Sequence, residues 1–196
     1  MIEHWPSAED LATARLIYEK NEPRNLFYRI AIELTNLAIE KKTSISVAEA
    51  LASLLQTWNR PYYQYRKFDA QHFLEIESLI KRTFPILIKI RNKEIACPRQ
   101  EIEVLFSDFE EVLGPVGASK CLHLLAPNFF PLWDRAIANR YGLSLQKKGE
   151  NATLYAQFLY HTQKQSERTG SSQLHGRSIL KAIDEYNFCK FTKGWL

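Results

Sequence analysis

Apolar residues recur every three or four positions along almost the whole chain. That spacing lines one face of a helix of about 3.6 residues per turn and cannot line one face of a strand. The fold class expected is all-α. Capping and breaking residues divide the pattern. Ser7 can cap a first helix with Leu11, Ala14, Ile17 and Tyr18 on one face. Pro23 starts a second, over about 24–42, where Leu26, Ile30, Ile32, Leu34, Leu37 and Ile39 cover so much of the circumference that a central position is expected. Ser46 opens a third helix, through Leu51 and Leu54 into Trp58, broken at Pro61; Asp69 caps a fourth, to Ile80, with Pro85 disturbing its end. Pro98 suits the first turn of a fifth, in which Ile102, Leu105, Phe106 and Phe109 form a stripe ending at Leu113.

A short helix over 118–125 is stopped by Pro127, and another runs over about 134–142. A helix through Leu154, Phe158 and Leu159 follows, then a polar stretch over 163–176 expected to be a mobile loop, then a last helix over about 179–188. No repeat and no strong domain boundary interrupts the chain. It reads as one domain over 1–196, a two-lobed helical bundle with lobes of 1–45 plus 143–196 and of 46–142.

With 196 residues, 45% of them apolar, the chain can bury a substantial core. Its formal charge of +4 suits a nucleic-acid partner without requiring one. The cysteines, Cys97, Cys121 and Cys189, lack the paired spacing of a zinc or iron–sulfur site, and the histidines lack ligand spacing, so neither metal nor cofactor is expected. No apolar run approaches the ~20 residues that span a bilayer, and the first residues do not read as a secretory signal. The expectation is a cytoplasmic, monomeric protein with no membrane partner.

Two stretches carry the chemistry. In Leu113-Gly114-Pro115-Val116-Gly117-Ala118-Ser119-Lys120, two glycines allow a tight turn, and the amides at the start of the next helix can grip a phosphate; Gly114, Val116, Gly117, Ala118 and Ser119 are the candidate DNA contacts. Asp134 follows in Phe130-Pro131-Leu132-Trp133-Asp134. It can support a cationic transition state, cap the helix that begins at Arg135, or do both. The second stretch, 58–68, holds five aromatic and three basic residues in eleven positions. Trp58, Tyr62, Tyr63 and Tyr65 can stack on an extruded base, or wrap the core at a helix break, while Arg60, Arg66 and Lys67 meet phosphates. Gln56 can fill the gap left in a duplex. His123 and Trp133 are placed near the pocket by their nearness to Lys120 and Asp134, although His123 also reads as a satisfied, partly buried histidine.

The layout around 101–125, a helix, a glycine turn and a second helix, resembles the helix-hairpin-helix DNA glycosylases. Leu113, Val116 and Gly117 match that family's hairpin, Asp134 its aspartate, and Ile137 the apolar residue three positions on. Leu54-Leu55-Gln56-Thr57 and Pro61-Tyr62-Tyr63 resemble two elements of its adenine-mismatch branch, in the same order. The match covers about 51–142. Gly114 and Pro115 stand in reversed order, the upstream glutamate is replaced by Leu51, and the four-cysteine cluster of several relatives is absent. Ser119 occupies the position of the Schiff-base lysine, with Lys120 one residue later and about 100° further around a helix.

The resemblance implies a DNA glycosylase that flips a damaged, mismatched or modified base and hydrolyses its N-glycosidic bond, in DNA repair or phage defence. Ser119 implies a monofunctional enzyme, with Asp134 as the chemical group; Lys120 keeps a lyase alternative open. A non-catalytic DNA-binding module and a helical interaction protein are the rival readings.

Overall fold

The computed structural model describes residues 5–169, 173, 174 and 176–196, of which 60, 61, 173 and 174 are described by backbone alone. The helices are α1 (Ala8–Asn21), α2 (Asn25–Ile39), α3 (Val47–Trp58), α4 (Arg60–Tyr63), α5 (Ala70–Arg91), α6 (Arg99–Leu125), α7 (Arg135–Arg140), α8 (Ala152–Arg168) and α9 (Ile179–Asn187). A π-helical turn, Phe188–Lys193, continues α9. Strands β1 (Gln173–Leu174) and β2 (Arg177–Ser178) pair antiparallel, with Gln173 opposite Ser178. The architecture is an all-α, multi-helix bundle with minimal strand.

Local chemistry sets the helix starts. Ser7 and Ser46 close capping boxes with Asp10 and Glu49, and Asp69, Asp134 and Ser178 accept from backbone amides in the first turn of their helices. Each such cap is worth about 1 kcal/mol.

Four elements depart from expectation. Helix α2 ends at Ile39 and is not central: Tyr28, Ala31 and Thr35 are buried, while Leu26 and Ile30 are 54% and 45% exposed. Its apolar circumference exceeds the face its neighbours cover. Helix α5 passes through Pro85 to Arg91. Pro85 lies on the exposed side, where water can serve the carbonyl that its missing N–H leaves free. Helix α8 absorbs the first part of the expected loop, reaching Arg168, because its polar residues are satisfied at buried positions. The Thr162 hydroxyl donates to the carbonyl of Leu159 at 2.9 Å, and Gln165 accepts from Tyr141 at 3.0 Å. Residues 170–172 and 175 of that loop lie outside the described residues. Finally, the turn expected over 113–117 is confined to one residue: Gly114 alone leaves helical conformation, and α6 resumes at Pro115.

Two apolar clusters form. The larger joins α2, α3, α5, α6, α7 and α8 around Leu51, Leu54, Phe106, Phe109, Trp133 and Tyr155. The smaller joins α1 to α9 through Leu11, Ala14, Ile179, Leu180, Ala182, Ile183 and Tyr186. Among the described residues no helix is long and apolar enough to cross a membrane.

Candidate active-site cleft

The kink in α6 organises the site. Gly114 has φ 70° and ψ 169°, a region essentially reserved to glycine. A Cβ there would stand 2.8 Å from Cε2 of Tyr62, so the missing side chain is also what lets that ring lie over the kink. Pro115 opens the resumed helix, where its absent N–H costs nothing. Lys120 follows on the same segment. Its Nζ donates to the carbonyl of Trp58, the last residue of α3, at 2.5 Å and lies 5.1 Å from the centre of the Trp58 ring.

The chain after α6 folds back along it. The Trp133 indole N–H donates to the carbonyl of Pro115 at 3.1 Å, which brings Asp134 beside the kink. Asp134 then caps α7: Oδ1 accepts from the Ile137 amide at 2.8 Å, and Oδ2 from the Thr192 hydroxyl of the π-turn at 2.8 Å. Capping and a place at the site coincide in one residue.

Between these elements lies a cavity of about 460 Å³, within the range of small-molecule sites. Of the residues singled out in the sequence, Trp58, Tyr62, Gly114, Val116, Gly117, Lys120, Trp133 and Asp134 line it. So do Asn59, from within the second stretch, and Arg24, Asp184, Phe188, Thr192 and Lys193, which lie outside the two stretches that carry the motifs. Asn59 is 5% exposed, and its Nδ2 has no hydrogen-bond partner among the described residues.

Asp184 accepts from Lys181 Nζ at 2.6 Å. Lys181 is fully buried, its Nζ 4.7 Å from the ring centres of Tyr18 and Tyr28 and 5.0 Å from that of Trp58. In sequence, Lys181 and Asp184 are an ordinary i, i+3 pair like many on exposed helix faces; only burial sets them apart.

The two lysines differ in how firmly each holds its charge. Burial pulls the Lys120 ammonium down to about 8, against the upward pull of Asp184 and Asp134. A neutral fraction of about one in ten is then present at pH 7. Burial also opposes the charge on Lys181, but the adjoining Asp184 carboxylate, with Tyr18 and Glu185, outweighs it and holds the group above its ordinary value. Lys181 is a fixed cation, whereas Lys120 can supply a free amine.

Other expected site residues lie elsewhere. Ser119 and Ala118 are buried, and the Ser119 hydroxyl donates to the carbonyl of Val116 at 3.0 Å, so neither presents a polar group to a phosphate. His123 is a core residue with no exposed surface, bonded to Tyr28 at 3.0 Å and to the carbonyl of Phe130 at 2.8 Å. Tyr63 bonds His72 at 3.0 Å and is not on the cleft wall. Arg66 pairs with Glu75 at 2.6 Å and donates to Tyr62 at 3.2 Å. Gln56, Lys67 and Tyr65 are exposed away from the cleft, Tyr65 by 92%. The Arg60 side chain lies outside the described residues. Among the described residues no group of three or more His, Cys, Asp or Glu side chains is placed to hold a metal. The chain matches no family model, no curated protein and no solved structure.

Proposed function

We propose that the chain is a DNA glycosylase that takes an extruded base into the cleft and breaks its bond to the sugar. The observation that carries this reading is the sharing of one aromatic-walled cavity by Lys120, with its lowered pKa, and the Asp134 carboxylate. A base held out of the stack needs apolar faces, which Trp58 and Tyr62 supply, with Trp133 buried behind the wall. Breaking the N-glycosidic bond builds positive charge on the sugar, and Asp134 is the acidic group beside the kink that can face it.

The nucleophile in this reading is the neutral amine of Lys120. The Trp58 carbonyl holds one N–H, and the nitrogen lone pair forms a bond to the sugar C1′ as the bond from C1′ to the base breaks. The base leaves with that electron pair and takes up a proton; the amine gives up its proton to a neighbouring carboxylate or to solvent. Opening of the sugar ring then leaves an imine between Lys120 and C1′, the route to strand cleavage. Ser119, in the position that implied a water-only mechanism, has its hydroxyl turned to the backbone and leaves the site to Lys120.

The test is a panel of duplexes carrying damaged, mismatched and modified bases, incubated with borohydride. Expected are base release, a covalent adduct that Lys120→Met abolishes, and an adduct yield that rises with pH through a midpoint near 8. Asp134→Asn should slow release by about 100-fold or more. Abasic sites formed at full rate by Lys120→Met, and broken only by alkali, would transfer the attack to water. A second reading rests on both Asp134 oxygens being engaged by Ile137 and Thr192: a DNA-binding module without chemistry. Salt-sensitive DNA binding with no base release from any duplex would establish it.

A further inference from the structure

Helix α7 and the π-turn pack against each other beside the cleft and are tied by the bond from Thr192 to Asp134. Over their twelve residues they carry Arg135, Arg140, Lys190 and Lys193 and no acidic residue. None of these four has a carboxylate within ion-pair distance among the described residues, although Arg24, Arg66, Arg82, Arg99, Lys148 and Arg177 all do.

Aromatic groups hold three of them instead. The Arg140 guanidinium lies 5.4 Å from the ring centre of Phe191, Lys193 lies 5.6 Å from that of Phe188, and Lys190 donates to the Tyr186 hydroxyl at 2.6 Å. An aromatic face orients a cation without neutralising it. Arg135 and Lys193 stand on the cleft wall, and Arg140 and Lys190 line an adjoining groove of about 530 Å³.

We infer that α7 and the π-turn form the track on which the sugar–phosphate backbone of duplex DNA lies. Arg135 and Lys193 take the phosphates next to the extruded nucleotide, and Arg140 and Lys190 the ones beyond. The inference rests on the glycosylase reading of the cleft for its partner, but it concerns grip and not chemistry. It moves the DNA contact from the glycine turn, much of which is buried, to a cationic ridge. The four cations make no ion pair among the described residues and suit a polyanion, whereas a neutral ligand of the cleft would have no use for those beyond its wall.

Binding of an unmodified duplex, measured across salt concentrations, tests this directly. Each phosphate contact contributes about 0.9 to the slope of log affinity against log salt. The double variant Arg140→Gln/Lys193→Gln, two exposed positions, should therefore lower that slope by about 1.8. Lys81→Gln/Lys89→Gln on α5 should leave it unchanged, and Lys120→Met should abolish base release while leaving the slope nearly intact. An unchanged slope in Arg140→Gln/Lys193→Gln with helical content preserved overturns the track, as does an equal loss in the α5 variant. If the ridge variant loses slope but no duplex yields base release, the track stands and the glycosylase reading falls.

Discussion

His123 shows how one buried side chain can be satisfied without charge. The Phe130 carbonyl can only accept, so Nδ1 carries the proton and donates; Nε2 is then an acceptor for the Tyr28 hydroxyl. Burial holds the ring neutral, its pKa pushed down to about 3. In the unfolded chain the same ring takes a proton near pH 6.5. The unfolded state thus binds more protons between those values, and stability is present above pH 6.5 and lost as pH falls. The loss from His123 is about 2 kcal/mol by pH 5. His72, also held low by burial, acts in the same direction. His123→Gln should flatten the fall in unfolding free energy between pH 7 and pH 5 by about that amount in urea titrations at the two pH values. An equal fall in variant and parent would show that the ring charges freely in the folded state.

At the scale of elements, the kink at Gly114 has two separable causes, a backbone conformation and a ring in contact. Gly114→Ala should cost about 2 kcal/mol or more, part from the conformation and part from the approach to Tyr62. In a double-mutant cycle with Tyr62→Ala, read by denaturant unfolding, the contact share should vanish and the conformational share persist. Strict additivity would assign the whole cost to the backbone.

Helix positions were legible where capping chemistry is local, as at Ser7, Ser46, Asp69 and Asp134. Helix ends were not, because they depend on neighbours. Pro85 could stay in α5 only because its side of the helix is solvated, and α8 outran its apolar stripe because Thr162 and Gln165 find partners in the fold. The aromatic and basic run over 58–68 misled in part for the same reason. Arg66, Glu75, His72 and Tyr63 satisfy one another, and only Trp58 and Tyr62 of the named aromatics reach the cleft.

For the molecule as a whole, Lys181 joins what the apolar clusters leave separate. Its ammonium touches rings from α1, α2 and α3 and pairs with Asp184 on the cleft wall. Lys181→Met removes the cation and leaves Asp184 buried without its partner. The expected cost is about 3–5 kcal/mol in equilibrium unfolding, with Lys181→Met/Asp184→Asn recovering part of it. A loss below 1 kcal/mol would mean that water reaches the pair. The sequence leaves the half of the site contributed by α9 and the π-turn undecided, between touching DNA and packing the last helix, for a related reason. Nothing in the spacing of Asp184 or Thr192 distinguishes them from surface residues, and it is packing across more than fifty positions that brings Thr192 to Asp134.

The anchor on Lys120 has a consequence for how the site tolerates change. The amine is held by the main-chain oxygen of residue 58, not by a side chain. Every amino acid brings that oxygen, so substitution at position 58 can reshape the cleft wall while the tether on Lys120 is inherited intact. Substitution at position 58 thus acts through the ring, which walls the cleft and faces Lys120, Lys181 and Tyr28, and not through the tether.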